Sequence, residues 1–283
     1  MTSGIRRLTP ADIPACLALA VDRGWPAEEE RWRLMLDLGE GYGWTGDDGE
    51  LCATVVLTRY GGAGVVGMML VAARCERRGI GRALMEHLLH QARDLDTVFL
   101  YSTPQGRPLY EQLGFAPTHE VVTHIGQFSP DPATAGPRTF APVAADQAAL
   151  RALDADVLGC DRSRLLERLA SFAERIRVTR DDRGRVNGYA AAWRNAGRTA
   201  LGPVIAPDLT SAQALVADLV TDFSGGPQRP VRLDCSPDLH PRLQAWALRR
   251  GLLEGDRTTF MVRGCALTPH PYGPYAPLMH GLG

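Results

Sequence analysis

The most informative segment of this chain is Val71-Ala72-Ala73-Arg74-Cys75-Glu76-Arg77-Arg78-Gly79-Ile80-Gly81-Arg82-Ala83-Leu84-Met85. The apolar run Val65 to Val71 leads into it and reads as a buried strand. A basic turn follows, with two glycines two apart. From Arg82 to Ala92, apolar residues fall at Ala83, Leu84, Leu88 and Leu89, which is helical spacing. Strand, glycine turn and helix make an anion cradle. Glycine lets the backbone approach a phosphate, and a helix N-terminus offers unpaired N–H groups and a partial positive charge. Arg77, Arg78 and Arg82 add guanidinium groups able to grip phosphate in bidentate fashion.

The segment lacks the Gly-Lys-Ser/Thr of a nucleoside-triphosphate loop and the full glycine fingerprint of a dinucleotide fold. Two glycines alone also fit an ordinary helix start with solvated arginines. A second segment decides between these readings. From Val98 the chain reads as a short strand, a turn at Pro104 and Gly106, and then a short helix that carries Leu109 and Tyr110. Leu113-Gly114-Phe115 closes the segment. In order and spacing the pair resembles the GNAT superfamily of acyl-CoA-dependent N-acyltransferases. The first segment is similar to its pyrophosphate motif, Arg/Gln-x-x-Gly-x-Gly/Ala, and the second to its Leu-Tyr-x-x-Leu-Gly-Phe motif. One position departs: Glu76 stands where the motif usually has Gln or Arg. A carboxylate there repels pyrophosphate unless it points away or pairs with Arg77 or Arg78.

The sequence has 283 residues, 45% of them hydrophobic, enough for one large or two small domains. Its formal net charge is −1, which argues against a nucleic-acid partner or an anionic membrane surface. Every fixed side-chain cation is arginine, as a GC-rich genome would produce. No apolar run reaches the ~18 residues of a membrane span. Residues Met1 to Arg7 show no signal-peptide core. The six cysteines lack paired spacing, so they read as reduced thiols rather than a metal site or disulfide framework.

Ser129 to Arg138 is rich in proline, glycine and small residues and reads as a linker, placed at 129–140. Beyond it the pattern repeats in weakened form. Val98 to Pro104 aligns with Val231-Arg-Leu-Asp-Cys-Ser-Pro237. Leu113-Gly114-Phe115 has an echo in Arg250-Gly251-Leu252, and Gly67 to Val71 in Gly202-Pro-Val-Ile-Ala206. The repeat suggests related folds in tandem, and resembles GNAT proteins that carry a second GNAT-like domain. The expected fold is α/β (α+β). Each tandem domain is expected to hold a mixed, mostly antiparallel, splayed sheet flanked by helices. Residues 1–128 would be catalytic. Residues 141–283, with a C-terminal tail, would be a degenerate copy, because Ala206 to Gln213 has no glycine pair or arginine and Leu243 or Ala247 stands where Tyr110 falls.

Among the remaining elements, Thr9 to Asp12 starts a helix to about Asp22. Glu28 to Leu38 is a second helix with an acidic first turn. Asp47-Asp48-Gly49 turns into the strand Leu51 to Arg59. In the second half, Ser163 to Glu174 and Ser211 to Val220 read as helices, and Gly188 to Arg194 as a strand.

The resemblance implies a bacterial, cytoplasmic acyltransferase using acetyl-CoA, with a small-molecule amine as acceptor and a homodimer left open. It implies that the pantetheine arm pairs with Met69, Leu70 and Val71. The pyrophosphate would meet the N–H groups of Arg77, Arg78, Gly79, Ile80, Gly81 and Arg82. It implies Tyr110 as the acid that protonates the leaving thiolate, with simple packing against the cofactor as the alternative. A general base is not legible, since Val65 to Val71 has no carboxylate. Glu40, Tyr42, Trp44, His119 and His124 are candidates by position alone. Tyr101 and Ser102 could touch the acceptor, and Cys75 flanks the cradle. Asp154, Asp156 and Asp161 could line a cleft that recruits a cationic amine, or be solvated loop carboxylates. Two other functions fit: a non-catalytic acyl-CoA sensor, or the same transfer from a longer acyl-CoA, a carrier-protein thioester or an aminoacyl-tRNA.

Overall fold

A computed structural model describes residues 4–131, 136–221, 229–267 and 270–283. Residues 132–135 of the expected linker, and residues 1–3, lie outside the described residues. The chain forms two compact units. One comprises Met1–Pro117, Met261–Ala266 and His280–Gly283; the other comprises Thr118–Phe260 and Leu267–Met279.

The first unit runs β1 (Gly4–Arg7), α1 (Ile13–Asp22), α2 (Glu29–Leu38), β2 (Gly39–Thr45), β3 (Leu51–Tyr60), β4 (Ala63–Val71), α3 (Ile80–Gln91), β5 (Thr97–Ser102) and α4 (Arg107–Gln112). Its sheet order is β1-β2-β3-β4-β5, antiparallel until β4, which runs parallel to β5. Residues 261–266 add beyond β5, where the Cys265 N–H donates to the Asp96 carbonyl at 2.9 Å. A short 3-10 turn leads into α1, and the Asp12 carboxylate accepts the Thr9 N–H at 2.8 Å. This satisfies one donor that a helix start leaves unpaired. β3 is buried along nearly its whole length because α1, α2 and α3 all pack on it. It therefore reads as a largely apolar run, broken by Thr54 and Thr58, instead of a regular alternation. Leu84, Met85 and Leu88 of α3 are fully buried at helical spacing.

The second unit takes in β6 (Ala116–Gly126) from Thr118 on, α5 (Gln147–Leu158), α6 (Ser163–Phe172), β7 (Arg175–Arg180), β8 (Val186–Asn195), β9 (Arg198–Ala206), α7 (Leu209–Thr221), β10 (Val231–Cys235), α8 (Pro241–Arg249), β11 (Leu252–Gly264) as far as Phe260, and β12 (Gly273–Ala276). Sheet neighbours follow the order β11-β6-β10-β9-β8-β7, with β12 on β9. Again one central pair, β9 with β10, is parallel. Leu201, Leu215, Val216, Leu233 and Trp246 belong to its core.

The repeat is in register. On β4 and β5 the last parallel pair is Val66↔Leu100, and on β9 and β10 it is Leu201↔Leu233. Gly67 and Gly202 follow immediately. Gly114 and Gly251 end α4 and α8 in the left-handed region, at φ 85° and 92°. Counting back from these glycines puts Ala247 in the place of Tyr110.

Candidate active site

The first unit's sheet opens into a fork. Pairing between β4 and β5 stops at Val66↔Leu100, while β4 continues against β3 through Thr54↔Leu70 and Ala53↔Val71. Between Thr54 and Val56, one β3 residue opposes both Met68 and Met69, so β4 carries a bulge. Met68 takes φ 52°, a left-handed conformation that a branched-free but non-glycine residue adopts at a cost of about 1–2 kcal/mol. Thr54 Oγ1 donates to the Met68 carbonyl at 2.8 Å and holds the bulge. Among the described residues, no strand pairs with the edge of Met69 to Val71 that faces the departed β5. Such an edge can pair with an extended amide-bearing chain.

At the end of β4, the loop brings Arg77 (φ 60°) and Gly79 (φ 75°) into the left-handed region. Gly79 is the N-cap of α3 and contributes no side-chain hydrogen bond. The first bond of the helix runs from the Ala83 N–H to the Gly79 carbonyl at 3.0 Å. The N–H groups of Ile80, Gly81 and Arg82 therefore lie ahead of the ladder. A Cβ at Gly79 would meet nothing within 4 Å, and one at Gly81 would come within 3.3 Å of the Met69 and Val71 side chains. The helix start thus lies against the end of the open strand. Arg77 and Arg78 are exposed and form no ion pair among the described residues. Arg82 reaches Gln112 on α4 and stands 3.8 Å from Glu86.

Of the two sequence-based options for Glu76 the first holds: it points away, pairing with neither Arg77 nor Arg78 but with Arg23 at the end of α1, at 2.8 Å. The carboxylate is drawn out of the loop. These features fit the diphosphate and amide-bearing arm of an acyl-CoA: an open strand edge, bare helix N–H groups beside it, and two arginines near them.

Tyr110 is buried on α4, with its ring edge-on to Phe115 at 6.0 Å. Burial pushes its phenol up to about 12, so the hydroxyl keeps its proton at neutral pH. Tyr101 lies one residue past the last β5 pair, half-buried, and the Ser102 hydroxyl donates to the Thr103 carbonyl at 2.8 Å.

The other sequence candidates separate. Glu40 is tied to Arg7 at 2.9 Å and to Arg59 at 3.0 Å, and accepts the Tyr42 hydroxyl. Burial opposes its ionisation, yet the bonds from Tyr42, Arg7 and Arg59 hold it below the usual carboxylate range, which makes a poor base. His119 and His124 belong to the second unit. Cys75 is buried beside the Arg74 guanidinium. Asp154 lines no cleft: it is fully buried on α5, bonded to Arg162 at 2.7 and 3.0 Å and to the Tyr189 hydroxyl.

In the second unit both features of the cradle are taken by the chain itself. Asp208 Oδ1 accepts the Ser211 N–H at 2.7 Å, at the start of α7. β12 pairs with Val204, Ile205 and Ala206, the residues that match Met69, Leu70 and Val71. The glycine pair of the first unit marked the open helix start in the sequence. No sequence signal marked the Met68 bulge or the strand that covers β9.

A forked sheet with a glycine-capped helix at the end of the longer prong is the architecture of GNAT acetyltransferases, and comparison with known proteins agrees. A model of the acetyltransferase (GNAT) family matches residues 13–115, and a model of an acetyltransferase (GNAT) domain matches residues 150–273. The chain therefore belongs to the GNAT acetyltransferase family and carries two GNAT domains in tandem. It is 26% identical over 252 residues to YitH of Bacillus subtilis, an uncharacterized N-acetyltransferase, covering 88% of each chain. Among solved structures it is similar to a GCN5-related N-acetyltransferase from Sphaerobacter thermophilus (TM-score 0.67, 19% identity, 95% of this chain and 98% of that one). It is also similar to a tandem GNAT protein from the clavulanic acid biosynthesis pathway (TM-score 0.64, 15% identity, 94% and 100%). At these identities the solved structures bear on the fold.

Proposed function

We propose that the first unit transfers an acetyl group from acetyl-CoA to the amine of a small molecule, by direct attack on the thioester. The observation that carries this reading is the fork: an open strand edge at Met69 to Val71 ending beside the bare N-terminus of α3. The pantetheine amides pair with that edge as an added strand. The diphosphate takes the N–H groups of residues 77–82 and the charges of Arg77 and Arg78. The bulge at Met68 turns the strand so that an N–H of Met69 or Leu70 faces the thioester carbonyl, where negative charge develops on attack. The neutral amine nitrogen bonds to the carbonyl carbon and gives up an N–H proton to a base or to solvent, the C–S bond breaks, and the thiolate takes the proton of the Tyr110 hydroxyl, which water restores. A phenol held above its ordinary value by burial arrives protonated, as the acid role requires.

The second unit is a non-catalytic GNAT domain on this reading. Its helix start is capped by Asp208, its strand edge is covered by β12, and Ala247 replaces the tyrosine.

Calorimetry with acetyl-CoA, paired with thiol release over a panel of primary amines, tests the proposal. Binding with turnover of at least one amine is expected. Failure to bind acetyl-CoA would overturn the donor assignment. Binding without turnover across the panel would favour the sensor. Displacement of acetyl-CoA by a longer acyl-CoA would reassign the donor.

A further inference from the structure

The last residues of the sequence, His280–Gly283, belong to the first unit, and they lie against both prongs of its fork. Gly281 approaches β4 so closely that a Cβ on Gly67 would come within 2.7 Å of the Gly281 Cα. The Tyr60 hydroxyl, at the end of β3, donates to the Leu282 carbonyl at 2.8 Å. The His280 ring stacks on Tyr101, with centroids 4.7 Å apart and 14° between the planes. Gly67 is the first residue past the last pair on β4, and Tyr101 the first past it on β5. His280 is half-buried as a residue, with its Nε2 buried, and its ring thus stands where the two strands part.

We propose that His280 is the proton acceptor for the incoming amine, held at the mouth of the fork by Tyr101. This rests on the acetyl-transfer reading above and supplies the base that reading lacks. An alkylamine titrates near lysine, at about 10.4, so at neutral pH it arrives mostly as ammonium and must shed a proton before or during attack. Imidazole is the side chain suited to that task near neutrality. The ammonium first gives one proton to the His280 ring, which passes it to water; as the C–N bond then forms, a second N–H proton passes to the ring. The C–S bond breaks, and the thiolate is protonated by Tyr110. The imidazolium then gives its proton to water and the phenolate recovers one from water, leaving amide and thiol as products. Glu40 is spent on two arginines, β4 carries no carboxylate, and His119 and His124 belong to the other unit. The close approach of Gly281 and Met35 to Gly67 also explains why that position admits no side chain.

The test compares wild type, H280Q and H280A. Acetyl-CoA affinity is measured by calorimetry, and kcat/KM for the best amine of the panel is followed against pH. Affinity for acetyl-CoA is expected to be unchanged. In H280Q, kcat/KM falls about 10²-fold near neutrality, and the deficit closes as the pH approaches that of the free amine. An unaltered pH profile, or a loss of equal size at every pH, would overturn the role. Should no amine of the panel turn over, diethyl pyrocarbonate labelling of His280, read by peptide mass, decides. Slower labelling with acetyl-CoA present supports the placement, and labelling indifferent to saturating acetyl-CoA overturns it. Wild type that binds no acetyl-CoA would remove the donor reading and this inference together. A negative result in H280Q alone removes only the latter.

Discussion

The Arg23 guanidinium meets the Glu76 carboxylate at 2.8 Å and holds the only acid between Val71 and Met85 away from the helix start it precedes. Both groups are partly exposed, so the pair itself contributes little to stability, about 0.2–1 kcal/mol. On the proposed placement of the donor, its effect falls on binding instead. Arg23→Ala frees a negative charge beside the diphosphate and is expected to weaken acetyl-CoA binding a few-fold, more at low salt than at high. Glu76→Gln should tighten it by a similar factor. Calorimetry at two ionic strengths checks both signs.

Gly79 sits at φ 75° with open space around its missing side chain, so Gly79→Ala meets no clash. The penalty is conformational, about 1 kcal/mol. It shifts the N–H groups of residues 80–82 from their alignment. A fall of roughly 1 kcal/mol in unfolding free energy is expected, with a larger proportional loss of acetyl-CoA affinity. Chemical denaturation alongside calorimetry separates the two.

Tyr110→Phe is expected to reduce kcat by about 10²-fold while leaving acetyl-CoA affinity within a factor of about two. Equal turnover in the variant would end the acid assignment. The raised phenol also carries a stability signature. In the unfolded chain a tyrosine titrates near 10, whereas burial pushes Tyr110 up to about 12. The unfolded state therefore gives up its proton first as the pH climbs. Stability present below pH 10 is lost progressively toward pH 12, and Tyr110→Phe should flatten that decline. Thermal unfolding from pH 8 to 11 measures it.

Asp154 and Arg162 form a two-bond pair inside the second unit, at 0% and 3% exposure, with the Tyr189 hydroxyl on the same carboxylate. Removing one member strands a buried charge. Asp154→Ala should destabilise by about 3–5 kcal/mol, seen as a lower midpoint in urea.

Asp208→Ala removes the carboxylate that caps α7 and should lower stability by about 1 kcal/mol. β12 still covers the neighbouring strand edge, so acetyl-CoA stoichiometry is expected to stay at one per chain in calorimetry.

The elements that bear the two motifs were legible because their signals are local. The strand at Val65, the helix after Gly81, the short helix at Tyr110 and the three repeat segments all stand where spacing and glycines put them. Helix α5 was not read, and its aspartates looked like loop residues, because a buried carboxylate paired through space looks no different in sequence from a solvated one. Glu76 was read as a defect of the cradle for the same reason: its partner, Arg23, lies 53 positions upstream.

By itself, then, the sequence determined the class of fold, the tandem repeat in register and the open helix start at Gly79, since each is written in short-range periodicity and backbone freedom. Only the tertiary structure decided where charges are neutralised, that Met68 bulges, that β12 closes the second strand edge and that His280 reaches Tyr101. Those are encounters between residues far apart in the chain. They depend on which strand edges remain free after the sheets have formed, and no local pattern of residues encodes that.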